Sequence, residues 1–180
     1  MAESELTQLA RDIDERCRLR GEFVLRSGQF TDEYFDKYLF EADPRLLGRV
    51  ADQMAALVPS GTQLLGGLEL GGVPLATALS QRTGLPALFV RKHAKTYGTR
   101  KQAEGPDPEG KRITLVEDVI TTGGAVVAAT DALRGLGATV TAVLCAIDRS
   151  APGERSLAAA GLTLLAVLTK AQLDDAATRA

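Results

Sequence analysis

ITLVEDVITTGGAVVAA, residues 113–129, sets two adjacent carboxylates, Glu117 and Asp118, at the end of an apolar run and follows them with Thr121-Thr122-Gly123-Gly124. Residues 113–117 read as a buried strand, 124–133 as a helix with Gly135 and Gly137 beyond it, and 139–147 as a second strand. An earlier stretch repeats this order, with a strand over 63–70, a turn at Gly71-Gly72, a helix over 73–82 and a strand over 86–90. Strands that alternate with helices and read as continuous apolar runs predict a mainly parallel sheet covered on both faces. The fold class expected is α/β. Ligands of such sheets bind beyond the carboxyl ends of the strands. Gly71-Gly72, Arg91, Glu117-Asp118 and Asp148-Arg149 all fall at such predicted ends.

The chemistry of the opening stretch follows from its order. Thr121, Thr122, Gly123 and Gly124 at a helix entrance offer hydroxyls and unpaired N–H groups to an anion, and the helix dipole adds partial positive charge there. This is a phosphate cradle, and its spacing matches neither G-x-x-x-x-G-K-[ST] nor G-x-G-x-x-G. Carboxylates three residues upstream would repel a phosphate unless they face something else, such as sugar hydroxyls or a magnesium shell. A phosphate at one end and vicinal hydroxyls nearby describe a ribose 5-phosphate. Acidic strand ends and Gly-Gly helix starts are each common as solvated loops; their joint order is more specific.

Toward the N-terminus, Ser4 can cap a helix carrying Leu6, Leu9, Ile13 and Cys17 at helical spacing. EFVLRSGQFTDEYFDKYLF, residues 22–40, holds four of the five phenylalanines and two of the three tyrosines and is broken by Ser27-Gly28, which predicts two short strands joined by a turn. Asp43-Pro44 supplies an N-cap and a first-turn proline for a helix that buries Leu46, Leu47, Val50, Met54 and Leu57. Residues 91–112 contain almost nothing apolar beyond Ala94, Tyr97 and Ala103. A structureless loop of ~20 residues inside a compact domain has either work to do or a linker's role. Joining two halves of one sheet, it reads as a mobile lid, cationic in its first half through Arg91, Lys92, Lys95, Arg100 and Lys101. After residue 168 the chain has helix-forming residues but only a thin apolar face.

The whole chain narrows the classes. Its 180 residues suit one domain, long enough to bury roughly 70% of its unfolded surface. A net charge of −2, from 21 basic and 23 acidic residues, gives no general attraction to nucleic acid or anionic membrane. Cys17 and Cys145 form no C-x-x-C motif, which argues against a zinc site and a disulfide framework. The charged N-terminus is unlike a signal peptide, and the longest apolar run, near 161–168, falls short of the ~18 residues of a membrane span. A cytoplasmic location is expected.

LVEDVITTGGA closely resembles the phosphoribosyl pyrophosphate signature of type I phosphoribosyltransferases, and within that family the rest of the chain, from about 23 to 161, is most similar to the orotate-specific members. The resemblance implies the type I fold, a sheet flanked by helices with a small N-terminal hood over about 1–40 and a lid over 91–112. It assigns Glu117 and Asp118 to the ribose hydroxyls and Thr121, Thr122, Gly123, Gly124 and Ala125 to the 5-phosphate, with Val119 and Ile120 completing the binding stretch. RKHAKTYGT resembles the family's lid motif, whose cations reach pyrophosphate partly across a dimer interface. Arg91, Lys92 and Lys95 inherit that role, Lys95 as the chief catalytic cation. Tyr97 stands where many members have histidine and can still donate a hydrogen bond; His93 stands where glutamate is common.

FVLRSGQFTDEYFDKYLF is similar to the segment that closes over the pyrimidine, which implies that Arg26 reaches substrate and that Tyr34 and Phe35 lie against the base. Arg149 inherits the orotate carboxylate, a task suited to a planar guanidinium with paired donors, and Thr121 shares the orotate site. GLELGGVPLA resembles the pyrophosphate loop, with Gly71 where some members carry lysine. The implied reaction joins orotate and phosphoribosyl pyrophosphate with Mg²⁺ held mainly by substrate pyrophosphate and ribose hydroxyls, with no direct protein ligand, in a homodimer without nucleic-acid or membrane partners. Two alternatives share the signature. A purine transferase would gain little from Arg149 with Arg26, and a phosphoribosyl pyrophosphate-sensing regulator would need a basic face or a recognition domain that this chain lacks.

Overall fold

Ser4 caps the first helix as its spacing predicts, its hydroxyl accepting from the Thr7 N–H, and Leu9, Ile13 and Cys17 are fully buried. The architecture comes from a computed structural model, which describes residues 4–24, 28–93 and 102–178. In chain order the described elements are α1 (Glu5–Cys17), β1 (Arg18–Val24), β2 (Phe30–Phe35), α2 (Tyr38–Glu41), α3 (Pro44–Leu57), β3 (Leu64–Leu68), α4 (Gly72–Thr83), β4 (Ala87–Val90), β5 (Ala103–Glu104), β6 (Arg112–Ile120), α5 (Gly124–Gly135), β7 (Thr139–Asp148), α6 (Ser156–Ala159), β8 (Thr163–Thr169) and α7 (Lys170–Thr178).

Six strands form one sheet in the order β5-β4-β3-β6-β7-β8, parallel throughout except for the β4–β5 edge pair. Alternation along each strand divides the core. Leu65, Val116, Leu144 and Ala146 face α1, α3, α4 and α7, whereas Leu64, Leu115, Val143 and Cys145 face α5 and α6. Burying each such leucine contributes roughly 1.5–3 kcal/mol, so both faces hold the sheet. From β3 the chain moves outward to β4, and from β6 it moves the other way to β7 and β8. The boundary between β3 and β6 is therefore the topological switch point, where α/β sheets open a crevice at their strand ends.

Four local expectations change. The strand of the acidic pair runs to Ile120, because Val119 and Ile120 keep pairing with Ile147 and Asp148; Glu117 and Asp118 lie inside β6 rather than at its end. Residues 91–112 are not wholly without structure, since Ala103 is buried and pairs with Val90. The apolar run near 161–168 is the edge strand β8, and α7 is held through buried Leu173 and Ala176. The antiparallel β1–β2 hairpin starts at Arg18, directly after α1, and Arg18 ties it down through Asp14, Glu33 and Asp174. Among the described residues, no helix is long and apolar enough to cross a membrane.

Candidate functional site

The crevice at the switch point is built from the ends of β3, β6 and β7 and from the segment that follows the hairpin. Asp118 is fully buried there. Its Oδ1 accepts from the Val119 N–H at 2.5 Å, and Glu117 Oε1 accepts from the Asp118 N–H at 3.0 Å. On the other side, Lys37 Nζ lies 2.6 Å from Asp118 Oδ2. Glu41, also buried, interacts with the same carboxyl. Space for this arrangement comes from Gly71. A β-carbon built on Gly71 would overlap Asp118 Oδ2 and lie 2.9 Å from Glu41 Oε1.

Burial pushes Glu117 and Glu41 up, and proximity to Asp118 pushes them further, each to about 9. Burial also opposes the Asp118 charge, but the close polar neighbours Glu117, Glu41 and Lys37, the last of them an ammonium, outweigh it and hold the carboxyl below the usual range. Lys37 loses by burial and gains more from Asp118, so it is raised. These directions together favour a charged Asp118–Lys37 pair flanked by two carboxyls that hold their protons.

Beyond the strand, Thr121, Thr122, Gly124 and Ala125 are exposed at the entrance of α5, and Gly123 is buried beneath them with φ 72°. A side chain at Gly123 would meet Leu157 at 2.7 Å in addition to the backbone strain. The Ser156 hydroxyl donates to the Thr122 carbonyl at 2.6 Å, which ties the loop ahead of α5 to the start of α6. Val119 is half-buried and Ile120 buried.

Arg149 follows β7, its N–H donating to the Ile120 carbonyl at 2.8 Å, one residue before Thr121. Its guanidinium lies over the Phe35 ring at 5.3 Å. Two of the residues that the resemblance assigns to the base site therefore meet. Tyr34 does not join them. Strand alternation sends it to the other face of the hairpin, where it packs on Phe23 with ring centroids 5.5 Å apart. Arg91 pairs with Glu104 at 3.2 Å, and the exposed Lys92 donates its N–H to Glu69 at 3.0 Å. Arg26, Lys95 and Tyr97 lie outside the described residues.

Lys37 and Glu41 were not identifiable as site residues from spacing. The available signal was a lysine placed two residues after Phe35, in a segment rich in aromatic residues, with a glutamate one helical turn further on. Among the described residues, no group of three or more His, Cys, Asp or Glu side chains is arranged to hold a metal ion.

Comparison with known proteins agrees with this geometry. Residues 59–168 match the phosphoribosyl transferase domain. An orotate phosphoribosyltransferase of a Nocardioides species is 67% identical over 93% of this chain and 94% of its own length. One from Halobacterium salinarum is 44% identical over 87% and 89%. Among solved structures, the Mycobacterium tuberculosis H37Rv orotate phosphoribosyltransferase in complex with Fe(III) dicitrate has a TM-score of 0.84 at 32% identity, covering 94% of this chain and 99% of that one. The α/β sheet flanked by helices is thus a known fold, and the chain belongs to the phosphoribosyltransferase family, within it to the orotate phosphoribosyltransferases.

Proposed function

We propose that the chain carries out the Mg²⁺-dependent transfer of ribose 5-phosphate from phosphoribosyl pyrophosphate to orotate, giving orotidine 5′-monophosphate and pyrophosphate in pyrimidine synthesis. The observation that supports this most is the placement of Arg149. It is tied to Ile120 beside the phosphate cradle and its guanidinium lies over Phe35, so a planar group with paired donors stands beside the place where a base would sit.

Each role follows from the chemistry of its group. Thr121 to Ala125 hold the 5-phosphate through hydroxyls and N–H groups, with Val119 and Ile120 lining the sugar side. Ionised Asp118 and protonated Glu117 accept from and donate to the ribose hydroxyls. Arg149 pairs with the orotate carboxylate, Phe35 covers the ring, and Thr121 and Arg26 complete the base site. Displacement at the anomeric carbon passes through a cationic sugar, so fixed positions and charges carry the rate and no covalent nucleophile is needed. Pyrophosphate leaves toward Arg91, Lys92, Lys95 and Tyr97, with Lys95 as the main catalytic cation.

Asp118 Oδ2 is already engaged by Lys37, a donor set that fits a metal carried by substrate rather than by protein. Mg²⁺ on the pyrophosphate and ribose hydroxyls supplies positive charge against the leaving group. We place the hood over about 1–40 and the lid over 91–112 within one domain. The lid closes to exclude water and reaches a partner subunit, which makes a cytoplasmic homodimer the working unit.

The test is loss of orotate absorbance with phosphoribosyl pyrophosphate and Mg²⁺, beside reactions offering uracil, adenine, hypoxanthine and guanine. Consumption of orotate alone is expected. Consumption of a purine instead would retain the ribose-phosphate site and overturn the base assignment; no reaction with any base would favour a sensing role.

A further inference from the structure

The carboxyl group at the heart of the crevice meets a cation from the hood segment of the same chain. Lys37 is the N-cap residue of α2, half-buried, and its ammonium lies 2.6 Å from Asp118 Oδ2, off the direction of a well-aligned hydrogen bond. The same ammonium lies 5.4 Å over the Tyr38 ring, which further favours a cation there. Asp118 is fully buried, whereas Lys37 keeps 34% of its side chain accessible. The lysine is thus the side of the pair that opens to the crevice.

We infer that Lys37 is a positioning residue for the ribose site: it holds the Asp118 carboxylate ionised and aimed into the crevice, and so links the hood segment to the binding of the sugar. The inference rests on the proposed function for the identity of the sugar, but its central relationship is a contact within this chain. An isolated buried carboxylate beside two more carboxyl groups would take up a proton, as like charges in close contact do. Among the described residues, the charged and titratable groups that act on Asp118 and Lys37 are Glu41 and Tyr38 from α2 and Glu117 from β6. Lys37 is the cation among these. Glu41 and Glu117 are pushed up, which agrees with a pair of neutral acids around one anion. Gly71 completes the device, since any side chain there would displace the carboxylate that Lys37 meets.

A protonated Asp118 would lose the charge that makes it a strong acceptor for a sugar hydroxyl. Removing Lys37 should therefore weaken the sugar phosphate and leave the base site, built on Arg149 and Phe35, largely as it is. Affinity lost in this way returns when pH is raised enough to ionise Asp118 without its partner.

Calorimetric titration of phosphoribosyl pyrophosphate with Mg²⁺ into the full chain, without any base, reads this directly. Lys37→Met is expected to weaken binding at least 10-fold at pH 6.5, with the gap to the unaltered protein narrowing at least 3-fold by pH 8. Lys37→Arg, which keeps the charge, should bind within about 3-fold of the unaltered protein. Steady-state turnover should show a raised KM for the sugar substrate and an orotate KM within about 2-fold. A gap that does not change with pH, equal losses in the Met and Arg variants, or undiminished binding by Lys37→Met would each overturn the positioning role. Because binding is read without a base, an unaltered protein that binds the sugar but fails to turn over orotate would overturn the base assignment alone; if Lys37→Met fails to fold, the Arg variant and its pH series still decide.

Discussion

The guanidinium of Arg149 lies 5.3 Å over the ring of Phe35, joining the loop after β7 to the hairpin strand β2 across the mouth of the crevice. The ring holds one side of the guanidinium, and the bond from the Arg149 N–H to Ile120 fixes the residue's backbone. Such contacts contribute about 0.5–2 kcal/mol. Phe35→Leu is therefore expected to raise the orotate KM roughly 3- to 30-fold while leaving calorimetric affinity for phosphoribosyl pyrophosphate within 2-fold. Equal losses for both substrates would mean that Phe35 supports the fold rather than the base site.

Gly71 gives a second expectation. A methyl group there competes for the volume of the Asp118 carboxylate, and overpacking of this kind costs about 1–3 kcal/mol. Gly71→Ala should weaken binding of phosphoribosyl pyrophosphate at least 10-fold and lower Tm. Gly84→Ala is the control. Gly84 has φ 73° with nothing within 4 Å, so it should lower Tm through backbone strain alone and leave that affinity unchanged. Unaltered affinity in Gly71→Ala would show that Asp118 does not need its present position.

The pH dependence of stability follows from Glu41. Burial, and then Asp118, raise its folded-state value from 4.5 to about 9. A native state that holds the proton more tightly than the unfolded chain has its full share of stability below about 4.5 and loses it as pH rises through about 9. Glutamine has no proton to lose. The Tm of Glu41→Gln relative to the unaltered protein should thus climb between pH 5 and pH 9 by at least about 2–4 °C, the shift that about 1 kcal/mol gives in a chain of this size. A difference that stays flat across this range would mean that Glu41 is not a buried acid.

Much of this site was legible in the sequence, for physical reasons. Glu117, Asp118 and the Thr-Thr-Gly-Gly entrance are contiguous, so local order alone reveals a cradle beside an acidic pair. Arg149 was legible as a residue at a predicted strand end. Its contact with Phe35, 114 positions earlier, depends on how the hairpin folds back over the sheet. Lys37 and Glu41 were hidden for the same reason. They become site residues only because α2 carries them to Asp118, and no periodicity in their own segment marks that meeting. Tyr34 shows the converse limit. Adjacent in sequence to Phe35, it is turned away by the two-residue period of a strand. The edge strands β5 and β8 were missed because one is two residues long and the other lies in a run weighed only for its length.

The most direct measurement is initial-rate competition between orotate and uracil, with phosphoribosyl pyrophosphate and Mg²⁺, for the unaltered protein and for Arg149→Met. The account predicts that the unaltered protein consumes orotate with one pyrophosphate released per base and discriminates against uracil at least 100-fold in kcat/KM, and that Arg149→Met loses most of this preference. An unaltered protein that leaves orotate untouched, or a variant that keeps the full preference, would contradict it.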